Sequence, residues 1–325
     1  MKRQLLGVAA ILLSISTYAQ DNPLWMRYCA ISPDGTTIAF TYKGDIYTVP
    51  STGGRASQIT TNPAHDTKPI WSPDGKKIAF ASDRMGSMDI FEVNKEGGIP
   101  KRLTTHSGNE TPVAYKDAGH ILFLANIMPT VEDAQFPSGQ FQQVYEVNTE
   151  GGRPALFSSM PMEDISINHT GNTLLYHDKK GYEDPWRKHH TSSITRDIWL
   201  CSLNGNRTFR KQTTFNGEDR TPVWASDDKS FYYLSEEKGS FNIFKRDIDG
   251  NTSKQITNHT KHPVRFLSAA SNGTLCYGYD GEIYTVKEGA IPQKVQISIV
   301  TDKNDKDLIR QIKRSGATEI SLSPD

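Results

Sequence analysis

The sequence predicts an all-β chain, a six-bladed β-propeller of four-stranded antiparallel blades, on three observations. Six short strings recur: Asp45-Ile46-Tyr47, Asp89-Ile90-Phe91, Gln143-Val144-Tyr145, Asp197-Ile198-Trp199, Asn242-Ile243-Phe244 and Glu282-Ile283-Tyr284. Their starts step by 44, 54, 54, 45 and 40 residues, the period of a propeller blade. Between them lie turn signals of fixed type and short β-branched or aromatic runs, with no long helical periodicity.

The first two units show why each element forms. Ile31-Ser32-Pro33-Asp34-Gly35 matches Trp71-Ser72-Pro73-Asp74-Gly75, and Ile38-Ala39-Phe40 matches Ile78-Ala79-Phe80. Pro presets φ at the second turn position, Asp bonds back to nearby backbone, and Gly takes the position with φ above zero. The turn therefore joins two antiparallel strands. A third strand carries Asp-Ile-aromatic, with its aromatic expected to pack between blades. A Gly-Gly turn follows at Gly53-Gly54 or Gly97-Gly98, then a short fourth strand ending in Gln58-Ile59-Thr60 or Arg102-Leu103-Thr104.

The frame continues more degenerately. The third unit runs from Pro112 through Ile121-Leu122-Phe123 to Val144-Tyr145, Gly151-Gly152 and Leu156. The fourth has Asn168-His169-Thr170-Gly171 for its turn, the fifth Ser226-Asp227-Asp228, and the sixth Ser271-Asn272-Gly273. The repeated Asp ahead of Ile-aromatic reads as structural, a charge at a strand entrance that discourages edge pairing.

Residues 20–297 thus form one ring, and the ends differ from it. Residues 1–19 read as a signal peptide, with Lys2 and Arg3 before an apolar run from Leu5 to Ile15 and a cleavage site at Thr17-Tyr18-Ala19. An uncleaved anchor is the alternative. No later stretch reaches the ~20 apolar residues of a membrane span, and the reading is an exported, periplasmic or extracellular chain. Residues 298–325 read as a linker and the first strand of a second propeller, because Ser321-Leu322-Ser323-Pro324-Asp325 restarts the turn motif. A further propeller is expected to follow.

With 37 basic and 37 acidic side chains, nothing points to nucleic acid or an anionic membrane surface. Cys29, Cys201 and Cys276 are odd in number and far apart, so buried free thiols are expected rather than a disulfide framework.

The two long steps mark insertions between second and third strands, at Asn126 to Gln142 and at Lys179 to Arg196. Blade turns alternate between two faces, so both insertions emerge on one face. The second supplies a candidate interaction loop: Tyr182, Glu183, Asp184, Trp186, Arg187, His189 and His190. Long loops on rigid scaffolds often bind; a loop that only packs over the blade rim is the competing reading. His189 and His190 do not read as metal ligands, since adjacent residues on extended backbone point oppositely and no third ligand has a recognisable spacing. Asp247-Ile248-Asp249-Gly250 fits a hairpin turn better than a calcium loop, which needs a terminal Glu. No phosphate-binding loop, nucleophile elbow or cofactor motif occurs.

The pattern Ser-Pro-Asp-Gly, Ile-Ala-Phe, Asp-Ile-Tyr/Phe, Gly-Gly, Leu-Thr resembles the TolB-type propeller repeat. Six blades, a linker and a restarted repeat, together with Lys180 to Ser193 continuing to Thr195-Arg196-Asp197-Ile198-Trp199, resemble tricorn-protease homologues. That resemblance implies a serine peptidase of the S41 type with further domains on the same polypeptide. It implies propellers that gate peptide substrates or products, and assembly into homo-oligomers. The family's catalytic motif has no counterpart in this chain, so no catalytic residue is assigned. A free-standing TolB-like binding module is the second hypothesis. The propeller of a prolyl-oligopeptidase-like enzyme ranks third, since that arrangement leads into an α/β-hydrolase.

Overall fold

The computed structural model describes residues 23–127, 141–181 and 191–300. Six four-stranded antiparallel sheets form; five use four strands consecutive in sequence, and in blade 1 the short strand Gly54–Arg55 falls between the third and the fourth and pairs outside the blade. Blade 1 comprises Arg27–Ile31, Thr37–Tyr42, Asp45–Pro50 and Ser57–Gln58. The first, innermost strands of the other blades are Asp66–Trp71, Thr111–Asp117, Met162–Ile167, Asp219–Trp224 and Arg265–Ala269. Each touches the innermost strand of the next blade, and Arg27–Ile31 touches Arg265–Ala269, so the ring is closed.

The Ser-Pro-Asp-Gly chemistry is realised atom by atom. Asp34 Oδ1 accepts from the Ser32 hydroxyl at 2.5 Å and from the Thr36 amide at 3.0 Å, while Gly35 sits at φ +76°. Asp74 and Gly75 repeat this in blade 2. The degenerate turn of blade 4 keeps the shape with other residues. There Asn168 Oδ1 accepts from the Asn172 and Thr173 amides, and Gly171 takes φ +70°.

Second and third strands pair so that two aromatics stand directly opposite in every blade: Phe40 and Tyr47, Phe80 and Phe91, Phe123 and Tyr145, Tyr176 and Trp199, Tyr233 and Phe244, Tyr277 and Tyr284. In five blades the paired rings lie 5.8 to 6.1 Å apart, close enough to add to burial. Tyr47, Phe91, Tyr145 and Phe244 are buried; Trp199 and Tyr284 are half-buried. The core is divided into six clusters along the ring rather than one central body.

The acidic residue ahead of Ile-aromatic is structural by a different route from the one expected. Third strands are interior, paired on both sides, so there is no edge to protect. These side chains instead take cations and hydroxyls from the strand beyond. Asp89 meets Arg102 at 2.7 Å, and Asp197 meets Lys211 at 2.8 Å. Asn242 Oδ1 accepts from the Thr257 hydroxyl at 3.0 Å.

Candidate functional site

The axis of the ring encloses a cavity of about 580 Å³ that all six innermost strands line, a volume in the range of ligand pockets. Its shape comes from one backbone irregularity repeated around the ring. In every blade the pairing of first and second strands shifts register near the start of the first strand. In five blades the residue at the shift has φ near +50°: Tyr28, Lys68, Asp164, Thr221 and Phe266. All five line the cavity. A left-handed non-glycine residue costs roughly 1–2 kcal/mol, and bulges of this kind re-aim side chains. The ring thus sustains five strained residues in order to turn five side chains toward its axis.

The two sides of the axis differ. On one, the Tyr28 and Phe266 rings lie 4.8 Å apart and the Lys68 ammonium stands 5.7 Å from the Tyr28 ring centre. On the other, a charged cluster gathers at the ends of the second strands, where the two insertions arise. Glu163 accepts from Lys179 at 2.7 Å and from His177 Nε2 at 3.2 Å, with Arg196 Nε 3.5 Å away. The Thr221 amide donates to His177 Nδ1, and the Thr221 hydroxyl donates to Asp164 at 2.7 Å. Burial alone raises the Glu163 carboxyl, but the bonds from His177 and Lys179 overcome it and hold the group well below the usual carboxylate range. Behind the wall, Arg196 donates to the buried Glu218 at 2.8 Å.

Among the described lining residues five are Lys or Arg and two are Asp or Glu, so the local field favours anions. The two serines of the wall serve the blade seams: Ser166 Oγ accepts from the Trp224 amide and Ser268 Oγ from the Ile31 amide. Among the described residues no group of three His, Cys, Asp or Glu side chains converges to hold a metal, and no helix is long and apolar enough to cross a membrane.

Tyr182, Glu183, Asp184, Trp186, Arg187, His189 and His190 lie outside the described residues, as do residues 1–22, 128–140 and 301–325. The segments read from sequence as a signal peptide and as the start of a second propeller fall there too. What the structure does show is where the candidate loop is rooted. Lys180 donates to Thr195 O at 2.6 Å and to Asp197 at 2.5 Å, clasping the two stems together, and Lys179 and Arg196 on those stems line the axial cavity. The cavity itself was not anticipated residue by residue. A signal existed: Lys68-Pro69-Ile70-Trp71 and Thr221-Pro222-Val223-Trp224 place a proline inside a first strand, where it marks a bulge rather than a regular ladder.

Comparison with known proteins agrees with this architecture. The model of the tricorn protease N-terminal β-propeller domain matches residues 23–290. A tricorn protease homologue of Streptomyces coelicolor is 26% identical over 281 residues, covering 85% of this chain and 25% of the relative. A homologue from Saccharolobus solfataricus is 26% identical over 296 residues, covering 86% of this chain and 26% of its own length. The chain therefore spans about a quarter of the length of these relatives. The crystal structure of the tricorn protease superposes with a TM-score of 0.72 at 20% identity, over 87% of this chain and 27% of that one. TolB from Acinetobacter baumannii superposes at 0.56 and 17% identity, over 75% of this chain and 56% of that one. With six closed blades and a family match across nearly the whole ring, the chain belongs to the tricorn protease N-terminal β-propeller family.

Proposed function

We propose that this propeller admits or releases peptides for a larger tricorn-type serine peptidase, whose chemistry is carried by other domains of the same polypeptide. The observation that supports the reading best is the axial cavity. Every blade contributes to it, five strained residues turn side chains into it, and its mouth opens where the two insertions are rooted. A surface combining aromatic faces, cations and carboxylates can meet peptides of varied sequence without fixing one of them. Export by a cleaved signal peptide and assembly into homo-oligomers belong to the same proposal. The first rests on the segment from Lys2 to Ala19 and the second on family membership. The insertion from Tyr182 to His190 is proposed as the loop that meets peptide or a neighbouring domain.

The test uses the 325-residue chain itself. Fluorescent peptides of mixed sequence are expected to bind saturably and to emerge uncut. Lys68→Glu, which reverses one cavity charge away from the Glu163 cluster, is expected to weaken acidic peptides and strengthen basic ones. Binding that is identical in the variant, or no binding up to millimolar peptide, overturns the passage reading. Cleavage by this chain alone, abolished by a serine-directed inactivator, overturns the placement of the chemistry elsewhere. In the natural full-length polypeptide, exchange of Tyr182, Trp186 and Arg187 for Ala tests the loop: unchanged turnover and assembly would remove it from the proposal.

A further inference from the structure

Each four-stranded blade is completed by strands of its own segment, and no strand of one blade fills the sheet of another. The seam between blade 6 and blade 1 is the one place where the chain's own continuity does not hold neighbours together. It is held instead by scattered bonds. The Ile31 amide donates to Ser268 Oγ at 3.0 Å, the Ser271 amide to Pro33 O at 2.9 Å, and the Met26 amide to Gly281 O at 3.1 Å. Ile297–Ser298 also pairs in parallel with Gly54–Arg55.

Two cysteines lie at this seam. Cys29 is on the innermost strand of blade 1, and Cys276 is on the second strand of blade 6, Leu275–Tyr279. The two strands pack directly on each other. Both thiols are free and buried in one cluster with Ile31, Phe40 and Ile283, and the Cys276 thiol has the Cys29 thiol as a neighbour. Cys29 also points its sulfur at Phe266 O, 3.5 Å away on the first strand of blade 6. The third cysteine, Cys201, is buried in blade 4 and bonds to Ser202 O. Two cysteines about 250 residues apart therefore meet where a cross-link would do most, because a bond that closes a long loop removes the most freedom from the unfolded chain.

We propose that Cys29 and Cys276 form a disulfide that fastens blade 6 to blade 1, leaving Cys201 as the single free thiol. Burial holds the Cys276 thiol protonated, and the thiolate is the attacking species, so the bond forms while the seam is still open. One cysteine thiolate attacks a small disulfide such as oxidised glutathione and expels one reduced glutathione. The second thiolate then attacks the mixed disulfide and expels the other. Two protein thiols are oxidised, one glutathione disulfide is reduced to two thiols, and the two protons go to the expelled thiolates.

The experiment refolds the full chain from denaturant in a buffer of reduced and oxidised glutathione. Free thiols are then counted with a maleimide under denaturing conditions. One reactive thiol per chain is expected, against three after reduction, with a peptide map joining the Cys29 and Cys276 segments. The oxidised chain is expected to melt roughly 10 °C above the same chain in dithiothreitol, and Cys201→Ser to leave that difference intact. Three free thiols after refolding, a bond that includes Cys201, or equal melting temperatures of the oxidised and reduced forms each overturn the proposal. The thiol count is made on the unaltered chain, so it stands even if Cys29→Ser or Cys276→Ser fails to fold.

Discussion

The backbone amide of Ile90 donates to the hydroxyl of Thr104 at 2.9 Å, with both groups buried. The neighbouring Leu103 amide donates to Ile90 O at 2.8 Å, so one dipeptide satisfies both backbone groups of one isoleucine. The same clasp joins Ile46 to Ile59-Thr60, Ile198 to Gln212-Thr213, and Ile243 to Ile256-Thr257. It explains why a threonine closes these units: the fourth strand has run out, and the hydroxyl replaces the missing carbonyl. Thr104→Val keeps the shape but leaves the Ile90 amide buried and unpaired. It is expected to cost about 1–3 kcal/mol, read as a lower urea midpoint, while Thr104→Ser should lose much less. Equal midpoints for the valine and serine variants would refute the clasp.

Three blade seams bury acidic neighbours, and their protonation gives the ring a pH dependence. Burial, then the nearby Asp66, raises the Asp45 carboxyl to about 6. Burial raises Glu110 to about 7, with Asp89 contributing, and Asp219 to about 7, with Asp197 contributing. Each group holds its proton more tightly in the fold than the ~4 of an unfolded carboxyl. Its contribution to stability is therefore complete below pH ~4 and is lost as pH rises through 6 to 7. Asp219→Asn, which cannot ionise, is expected to gain on the unaltered chain between pH 5 and pH 8. Urea midpoints at both values measure this, and a gap that stays constant with pH excludes the mechanism.

The left-handed residues of the innermost strands trade stability for the cavity. Lys68 at φ +54° is the clearest case, since its ammonium touches only the Tyr28 ring among the described contacts. Glycine adopts that φ without steric cost but loses more freedom on folding. Lys68→Gly is expected to leave the thermal midpoint unchanged or raise it slightly, while altering peptide binding. A loss of more than about 1 kcal/mol in urea unfolding would show that Lys68 stabilises the ring.

The fold was legible because each blade obeys local rules. The Asp34 and Asp74 turns, the opposed aromatics and the closing threonines all lie within one repeat, so period and turn chemistry reveal them. What escaped depends on which side chains meet across strands and blades. Asp89 looked like a guard on a strand edge because sequence alone does not say that Arg102 reaches it from the next strand. Cys29 and Cys276 looked unrelated because only closure of the ring brings them together. The cavity wall, including Lys68, Asp164 and Thr221, escaped because a bulge changes where a side chain points without changing which residue it is. Only the prolines at Pro69, Pro112 and Pro222, each inside a first strand, betrayed it.

The charged wall beside the axial cavity is also a structural commitment. Arg196 and Glu218 are almost wholly buried and bonded at 2.8 Å, and Arg196 also approaches Glu163. Removing one partner of a buried pair strands the other charge and costs roughly 3–5 kcal/mol. Arg196→Met is expected to approach that loss, moderated because Arg220 stands 3.6 Å from the same carboxylate. Adding Glu218→Gln removes the stranded charge and should return a large part of the stability, so the double variant is more stable than Arg196→Met alone. Urea unfolding of the single and double variants gives the coupling. Strictly additive losses would mean that the pair is not an electrostatic unit, and that Arg196 is held at the cavity wall by packing.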